Sequence, residues 1–265
     1  MKVFISTDIE GIALDTTFWD DLLPRPIEKY VKQLTAEVVA ACEGAFSAGA
    51  TEILVRDFHN NGHHNIDVFQ LARGVKLYNG KSGHPYDAVE GIDSTFNAAL
   101  FIGQHAAATS GGNPLSHTTV RRIYHVKING RIASEFMIAS WAAVLEKVPT
   151  VFLSGDKGVC DDDKDLHPNL ITCPVKEGFG AGTLCYNPIE VVQNIKEGVE
   201  KALKQDNLSR LPKLPDEFEL EVCYKDPINA YKYSFYPGVK MINNNTLVYT
   251  TKDYFELLRA YSFMK

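Results

Sequence analysis

Two hydrophobic periods alternate along the chain, and together they predict an α/β fold. Short apolar runs bounded by polar residues are typical of buried strands in a parallel sheet. The strongest runs are VFI at the start of the chain, TEILVRDFH, NAALFIGQH and PTVFLSGD. Apolar residues spaced by three and four predict amphipathic helices over residues 27–46 and 189–203. The order strand, helix, strand in residues 1–59 predicts a βαβ unit with parallel strands and a right-handed crossover.

Turn residues mark the ends of these elements. Pro26, in a loop with Pro24, suits the first turn of the first helix, and Gly49 suits its end. YHVKI and RIASEF flank Asn129-Gly130, a dipeptide typical of a tight β-hairpin. We expect the second hairpin strand to end at Glu135 and to lead into the helix MIASWAAVLEKV.

The composition changes near residue 208, where SRLPKLPDE reads as a linker. Beyond it FELEVCYK and NTLVYTTK predict strands, and DYFELLRAYSFM predicts a terminal helix. The expected division is therefore a catalytic α/β domain of residues 1–207 and an α+β portion of residues 208–265, which serves assembly or shapes the pocket. The predicted fold class is a mostly parallel sheet flanked by helices, with a β-hairpin insertion and this small C-terminal portion.

Composition narrows the functional classes. The 265 residues are 45% hydrophobic and 23% charged, values typical of a soluble globular protein. A formal net charge of −6 argues against nucleic acid or an anionic membrane as a partner. Five scattered cysteines suit a reducing compartment, and we see neither a signal peptide nor an apolar run that could span a bilayer. The expected location is the cytoplasm.

The first strand runs directly into two carboxylates, Asp8 and Glu10. Residues two apart on an extended chain point to the same side, so both carboxylates should project from one strand end. Open α/β sheets bind ligands at the carboxyl ends of their strands. Two like charges held side by side favour a divalent cation between them. The alternative is that Asp8 caps a turn and Glu10 is solvated.

Five potential metal ligands follow apolar runs at predicted strand ends: Asp8, Glu10, His59, His105 and Glu135. If these strands share one sheet, two imidazoles meet three carboxylates at its rim, and zinc accepts both kinds of ligand. Five ligands exceed the needs of one tetrahedral ion, which favours two ions bridged by one carboxylate, with Asp8 as the expected bridge. The alternative of hydrogen-bonded loop histidines and a solvated glutamate remains open.

His117 follows a loop rich in glycine, serine and proline. A histidine above a metal rim can act as a general acid or base near neutral pH. The alternative is an ordinary histidine on a surface loop.

Four further residues stand near these candidates. Asp57 could orient the imidazole of His59 or could simply belong to a turn. Asp156 could be a site residue or a helix N-cap. His63 and His64 are adjacent, so their side chains diverge, and we expect at most a role behind the ligands.

Ordered short motifs resemble the DppA-type D-aminopeptidases, a family of binuclear zinc peptidases (peptidase family M55). The motifs cover about the first 200 residues, in the family's order and close to its spacing. They are S-x-D-x-E-G-I at 6–12, D-x-H at 57–59, LFIGQHA at 100–106, LSH at 115–117, NGRIASE at 129–135, and VFLSGDK followed by VK at 175–176.

The resemblance implies a zinc-dependent exopeptidase that removes the N-terminal residue, often D-configured, from a short peptide. The family's metal ligands would fall on Asp8, Glu10, His59, His105 and Glu135, and its catalytic histidine on His117. The resemblance also implies two zinc ions per subunit and a ring-shaped homo-oligomer, commonly a decamer. Residues 13–26 depart from the family pattern and are expected to border the substrate pocket.

Two rival functions remain at this stage. One is a different metal-dependent hydrolase, an amidase or phosphatase, that uses the same rim. The other is a non-catalytic α/β protein whose acidic rim binds a small cationic ligand without turnover.

Overall fold

The computed structural model describes residues 1–14, 28–59, 64–206 and 208–265. Its strands are β1 (Lys2–Thr7), β2 (Glu52–Asp57), β3 (Val75–Asn79), β4 (Ala98–Gln104), β5 (Ile123–Ile128), β6 (Arg131–Ile132), β7 (Thr150–Asp156), β8 (Ile171–Phe179), β9 (Gly182–Cys185), β10 (Phe218–Tyr224), β11 (Lys240–Asn243) and β12 (Thr246–Thr251). Its α-helices are α1 (Glu28–Ser47), α2 (Glu135–Leu145), α3 (Lys157–Asp163), α4 (Pro188–Leu203), α5 (Pro227–Tyr233) and α6 (Tyr254–Met264).

Seven strands form the central sheet in the order β3-β2-β1-β4-β7-β8-β9. All neighbouring pairs are parallel except β8 and β9, which form an antiparallel hairpin. The predicted α/β class with a mostly parallel sheet is therefore confirmed. Because β1 lies between β2 and β4, the ends of these three strands are neighbours at one rim.

The central sheet separates two apolar layers. Val3 and Ile5 of β1 point to the layer that contains α1 and α4, whereas Phe4 between them points to the opposite layer. That second layer contains α2, α6 and the inner face of a second sheet. Burial on both faces explains why these strands read as continuous apolar runs.

The second sheet has five strands in the order β11-β12-β10-β5-β6. Asn129 and Gly130 both have positive φ, 51° and 80°, so the predicted hairpin turn joins β5 to β6. Strand β10 pairs with β5 and with β12, so the hairpin and the strands after residue 208 lie in one sheet. The division into residues 1–207 and 208–265 stays a prediction.

Glu135 corrects one expectation, because it is not at a strand end. Strand β6 stops at Ile132, and Ser134 caps α2 by accepting a hydrogen bond from the Met137 amide at 2.8 Å. Glu135 is therefore the first residue of a helix. The serine two residues after the β-run supplies the capping group that starts this helix early.

Other differences concern short elements. Strands β9 and β11 and helix α5 were not predicted, since these short elements are mostly exposed and carry little apolar pattern. The predictions for Pro24, Pro26 and His63 fall outside the described residues. His64 is exposed and does not join the metal-binding candidates. In the described part of the chain, helices with the length and apolar character to cross a bilayer are absent.

Candidate metal centre

Three adjacent strand ends bring four of the five predicted ligands together. In the parallel register, Thr7 of β1 pairs with Asp57 of β2 and with Ile102 of β4. Asp8 and Glu10, just beyond β1, therefore lie between His59 beyond β2 and His105 beyond β4. The fifth ligand, Glu135, reaches the same point from the first turn of α2.

Two glycines allow the backbones of β1 and β4 to touch beside this point. A Cβ on Gly11 would lie 1.8 Å from the carbonyl oxygen of Gln104, and a Cβ on Gly103 would lie 2.1 Å from that of Asp8. Gly103 also has a φ of +74°, a conformation that favours glycine. The EGI and IGQ motifs thus hold the two strand ends at close range.

The first set of candidate ligands, here called the Asp8 group, comprises Asp8, Glu10 and His59. One potential ligand atom from each lies within 4.8 Å of the others. The Nε2 of His59 is 3.1 Å from Oε1 of Glu10. Both carboxylates are almost fully buried.

The second set, here called the Glu135 group, comprises His105, His117 and Glu135, whose ligand atoms meet the same distance limit. Oε1 of Glu135 lies 3.3 Å from Nε2 of His105 and 3.6 Å from Nε2 of His117. The two imidazoles stack at a centroid distance of 4.2 Å with planes 8° apart. Nε2 of His105 also lies 3.6 Å from Oδ2 of Asp8, which connects the two groups.

Backbone carbonyls orient both rings of the Glu135 group. Nδ1 of His105 lies 2.9 Å from the Ala106 oxygen, and Nδ1 of His117 lies 2.8 Å from the Leu115 oxygen. A carbonyl only accepts, so each Nδ1 carries a hydrogen and each Nε2 faces Glu135. The Thr119 amide donates to Oε1 of Glu135 at 2.7 Å and fixes the carboxylate.

Side chains, rather than carbonyls, orient His59. The Oδ1 of Asn65 lies 3.3 Å from Nδ1 of His59, and its Nδ2 donates to the His59 carbonyl at 2.8 Å. The same Nδ2 donates to Oδ1 of Asp57 at 2.7 Å. Asp57 therefore acts on His59 through Asn65, an arrangement that the sequence did not reveal.

The charges of the Asp8 group depend on one another. Burial, together with the neighbouring Glu10 carboxylate, raises the pKa of Asp8 well above its usual range. Burial also opposes ionisation of Glu10, but the His59 ring outweighs it and lowers the pKa of Glu10 well below its usual range. Burial disfavours the charged form of His59, yet Glu10 raises the His59 pKa to about 9.

The Glu135 group shows the same compensation. Burial disfavours the charged forms of His105 and Glu135, but their mutual attraction outweighs it. The pKa of His105 is raised well above its usual value, and the pKa of Glu135 is lowered to about 2. Burial and the adjacent His105 lower the pKa of His117. Buried carboxylates in both groups thus require positive charge at their centre.

This donor set fits zinc. Oε2 of Glu10 and Nε2 of His105 are buried and make no hydrogen bond within the described part of the chain, so neither atom is committed to a protein partner. Buried polar atoms without a hydrogen bond are uncommon and call for an explanation. Zinc binds imidazole nitrogen and carboxylate oxygen, the two atom types present.

Asp156 proves to be a helix N-cap that also supports the site. Its Oδ1 accepts from the Val159 amide at the start of α3, and its Oδ2 accepts from the Ala106 amide beside His105. The side chain of Asn113 joins Oδ2 of Asp156 to the carbonyl of Glu10 at 3.0 Å each. The Asp156 carboxylate thereby ties the start of α3 to both ligand-bearing strand ends.

Sequence reasoning placed Lys176 in a family motif but gave it no role, and the structure buries it beneath the centre. The ammonium of Lys176 donates to the carbonyl of Glu10, and it lies 3.4 Å from the carbonyl of Leu14. Nearby, Oε1 of Glu37 accepts from the Ala13 amide at 2.8 Å, and burial raises the Glu37 pKa to about 7. A lysine inside the apolar run TCPVKEGF is a signal that could have been found, because unpaired lysines are rarely buried.

Comparisons with known proteins agree with this geometry. The family model Peptidase_M55, described as D-aminopeptidase, matches residues 1–263. A D-aminopeptidase of Bacillus subtilis (strain 168) is 30% identical over 264 residues, which are 98% of this chain and 95% of the relative. A solved structure, "Zn-dependent D-aminopeptidase DppA from Bacillus subtilis, a self-compartmentalizing protease", superposes with a TM-score of 0.90 at 28% identity. The match covers 100% of this chain and 96% of that one.

Proposed function

The chain belongs to the D-aminopeptidase family Peptidase_M55, and from this premise we propose that it is a zinc-dependent aminopeptidase that removes an N-terminal D-residue from short peptides. One observation carries the proposal: buried carboxylates and imidazoles converge at one sheet rim in two adjoining groups. Such paired sites are typical of hydrolases that use two metal ions roughly 3.5–4 Å apart.

We assign the ligands of two zinc ions to Asp8, Glu10, His59, His105 and Glu135. Asp8 would contribute to the binding of both ions in this assignment. Its membership of one group and the 3.6 Å separation of its Oδ2 from Nε2 of His105 in the other support that role. His117 stacks on His105, so its distance from the centre does not show whether it is a zinc ligand or a catalytic group. The zinc content of a variant without His117 distinguishes the two roles.

When bound, the two ions supply hydroxide near neutral pH and polarise the scissile carbonyl. His117 acts first as general base and then as general acid in the proposed mechanism: because its pKa is lowered, the neutral ring would accept a proton from the attacking water before it passes one on. Its Nδ1 is committed to the Leu115 carbonyl, so Nε2 is the atom that exchanges a proton with the leaving amine. The free amino group of the substrate would bind at the second ion or at a nearby carboxylate of the rim.

Elemental analysis and a substrate screen on one purified sample test this function. Short peptides with an N-terminal D- or L-residue are assayed beside simple amides and phosphate esters. We expect about two zinc ions per chain and turnover of D-peptides. Turnover of amides or phosphate esters alone would assign a different hydrolase to the rim. Absence of both stoichiometric zinc and turnover would indicate a binding protein.

We propose that the chain forms a closed homo-oligomer, with a decamer of stacked pentamers as its form. Exposed aromatic and aliphatic side chains in residues 228–263 support this assembly: Ile228, Tyr231, Phe235, Ile242 and Phe263. The rings of Tyr231 and Phe235 contact each other edge to face at a centroid distance of 5.2 Å, and contiguous exposed apolar groups mark interaction surfaces. Light scattering of the purified protein measures the subunit number, and a monodisperse monomer would contradict the proposal.

The cytoplasm is the proposed location. No disulfide joins the five cysteines, all of which lie in the described part of the chain. Thiols in this state suit a reducing compartment. We further propose that residues 208–265 form the assembly portion and one wall of the pocket.

A further inference from the structure

A cavity of about 380 Å³ opens beside the metal centre, where Glu10 and His117 form part of its lining. Its size is typical of sites for small organic ligands. Uncharged residues 114–116 line another part of the wall. Two cationic side chains, Arg121 and Lys225, complete the described lining. Neither cation has a role in the proposed metal-dependent hydrolysis.

The second sheet places both cations at the same point. Arg121 lies just before β5, and Lys225 lies just after β10, which pairs with β5 in antiparallel register. Ile123 pairs with Tyr224 at this end, and the Lys225 amide donates to the carbonyl of Arg122 at 2.9 Å. The two residues are 104 positions apart in sequence, yet the sheet joins their backbones at one edge of the cavity.

The charge pattern of the cavity indicates what binds there. The metal centre supplies Glu10, whereas the cations come from the neighbouring ends of β5 and β10 in the second sheet. Arg121 and Lys225 are exposed, so their long side chains can reach a ligand without a large desolvation cost. Guanidinium groups bind carboxylates through paired hydrogen bonds, and ammonium groups bind them as point charges.

A short peptide carries one negative charge whatever its sequence, namely its C-terminal carboxylate. The leaving part of the substrate extends away from the scissile bond, and the cavity beside Glu10 and His117 adjoins that bond in the proposed mechanism. We propose that Arg121 and Lys225 bind this C-terminal carboxylate and thereby select very short peptides with a free carboxyl end. This inference rests on the proposed aminopeptidase function and specifies its substrate class.

A matched pair of substrates tests the proposal: a dipeptide acid and the C-terminal amide of the same dipeptide. The zinc-loaded wild-type protein should show a higher kcat/KM on the acid. Arg121→Gln and Lys225→Gln should each reduce the ratio of kcat/KM for acid over amide by about 10-fold, the size of one charge-assisted hydrogen bond. The change should appear mainly in KM, because the carboxylate contact is made equally in the ground and transition states.

Arg122→Gln is the matched control, since Arg122 is an exposed neighbour of the same charge that does not line the cavity. It should leave the acid-to-amide ratio unchanged. Zinc content and far-UV circular dichroism of all variants verify that the metal centre and the fold are intact.

Equal wild-type rates on acid and amide would overturn the inference while the aminopeptidase function stands. An unchanged ratio in both Arg121→Gln and Lys225→Gln would overturn it too. If the zinc-loaded wild type cleaves neither substrate in D- or L-form, the aminopeptidase function itself fails, and the inference fails with it.

Discussion

The two halves of the metal centre differ in how their imidazoles are held. In the Glu135 group, backbone carbonyls one or two residues away orient His105 and His117. In the Asp8 group, a chain of side chains from Asp57 through Asn65 orients His59. The first support depends only on local backbone conformation, whereas the second depends on the identity of two other side chains.

This difference has a mechanistic consequence. Carbonyl-held rings keep their tautomer when neighbouring side chains change, so the Glu135 group should tolerate substitution around it. The Asp8 group should lose order when its supporting side chains are altered, because such partners tune ligand geometry. Single substitutions can therefore separate the two halves.

Removal of His105 should have the largest effect. His105→Ala deletes the ring whose Nε2 lies nearest to Glu135 and within 3.6 Å of Asp8, so both halves lose a shared neighbour. We expect zinc content to fall from about two ions to one or none, and kcat/KM to fall by more than about 10⁴-fold. Elemental analysis of dialysed protein measures the loss. Full occupancy in this variant would contradict the ligand assignment.

Removal of His117 should reduce turnover without loss of zinc. His117→Ala deletes the proposed proton donor, and general acid–base groups contribute about 10²–10⁴-fold to kcat. Zinc content should remain at about two ions per chain. Unchanged turnover would remove His117 from the mechanism, and loss of one ion would make it a ligand of the Glu135 group instead.

Asn65→Ala should lower the zinc affinity of the Asp8 group only. The substitution removes both contacts of the Asn65 side chain with His59, and partners of this kind typically change metal affinity by about 10–100-fold. Chelator competition should show that one zinc ion is bound with lower affinity and that the affinity for the other is unchanged.

Asn79→Ala is the control for this experiment. Asn79 also donates to Asp57, at 3.2 Å, but this hydrogen bond does not involve His59. Its substitution should change zinc affinity much less. If Asn65→Ala lowered the affinity for both zinc ions equally, the Asp8 group and the Glu135 group would not be held by independent contacts.

A smaller effect concerns how the free energy of unfolding depends on pH. Its source is a buried histidine behind the Glu135 group. His167 packs against Phe136, the residue after Glu135, and its two ring nitrogens make no hydrogen bond within the described chain. Burial lowers its pKa to about 4 from the usual 6.5. The unfolded chain therefore takes up a proton as the pH falls from 6.5 to 4, while the folded chain resists it.

The free energy of unfolding should accordingly fall across this window by at most about 3 kcal/mol, with no contribution above pH 6.5. Urea denaturation of wild type and His167→Leu at pH 7.5 and pH 4.5 measures the effect. Relative to wild type, the variant should have a higher free energy of unfolding at pH 4.5 than it has at pH 7.5. An identical difference at both pH values would exclude His167 as the cause.

Local patterns were sufficient for most of the central sheet. The apolar runs located β1, β2, β4 and β7 because strands buried on both faces need apolar side chains throughout. The same runs placed Asp8, Glu10, His59 and His105 just beyond strand ends, where the structure has them. Short exposed strands such as β9 and β11 were not predicted, because they bury too little apolar surface to produce a hydrophobic pattern in the sequence.

By itself the sequence determined the α/β class, the ends of β1, β2 and β4 that carry ligands, and the residue types that favour zinc. Those features depend on burial and backbone geometry within a few residues. Only the tertiary structure decided that Glu135 reaches the rim from a helix and that Asn65 carries the influence of Asp57. It also decided that Arg121 and Lys225 meet at one cavity. Each of these depends on contacts set by the packing of whole elements, and no period along the chain records such packing.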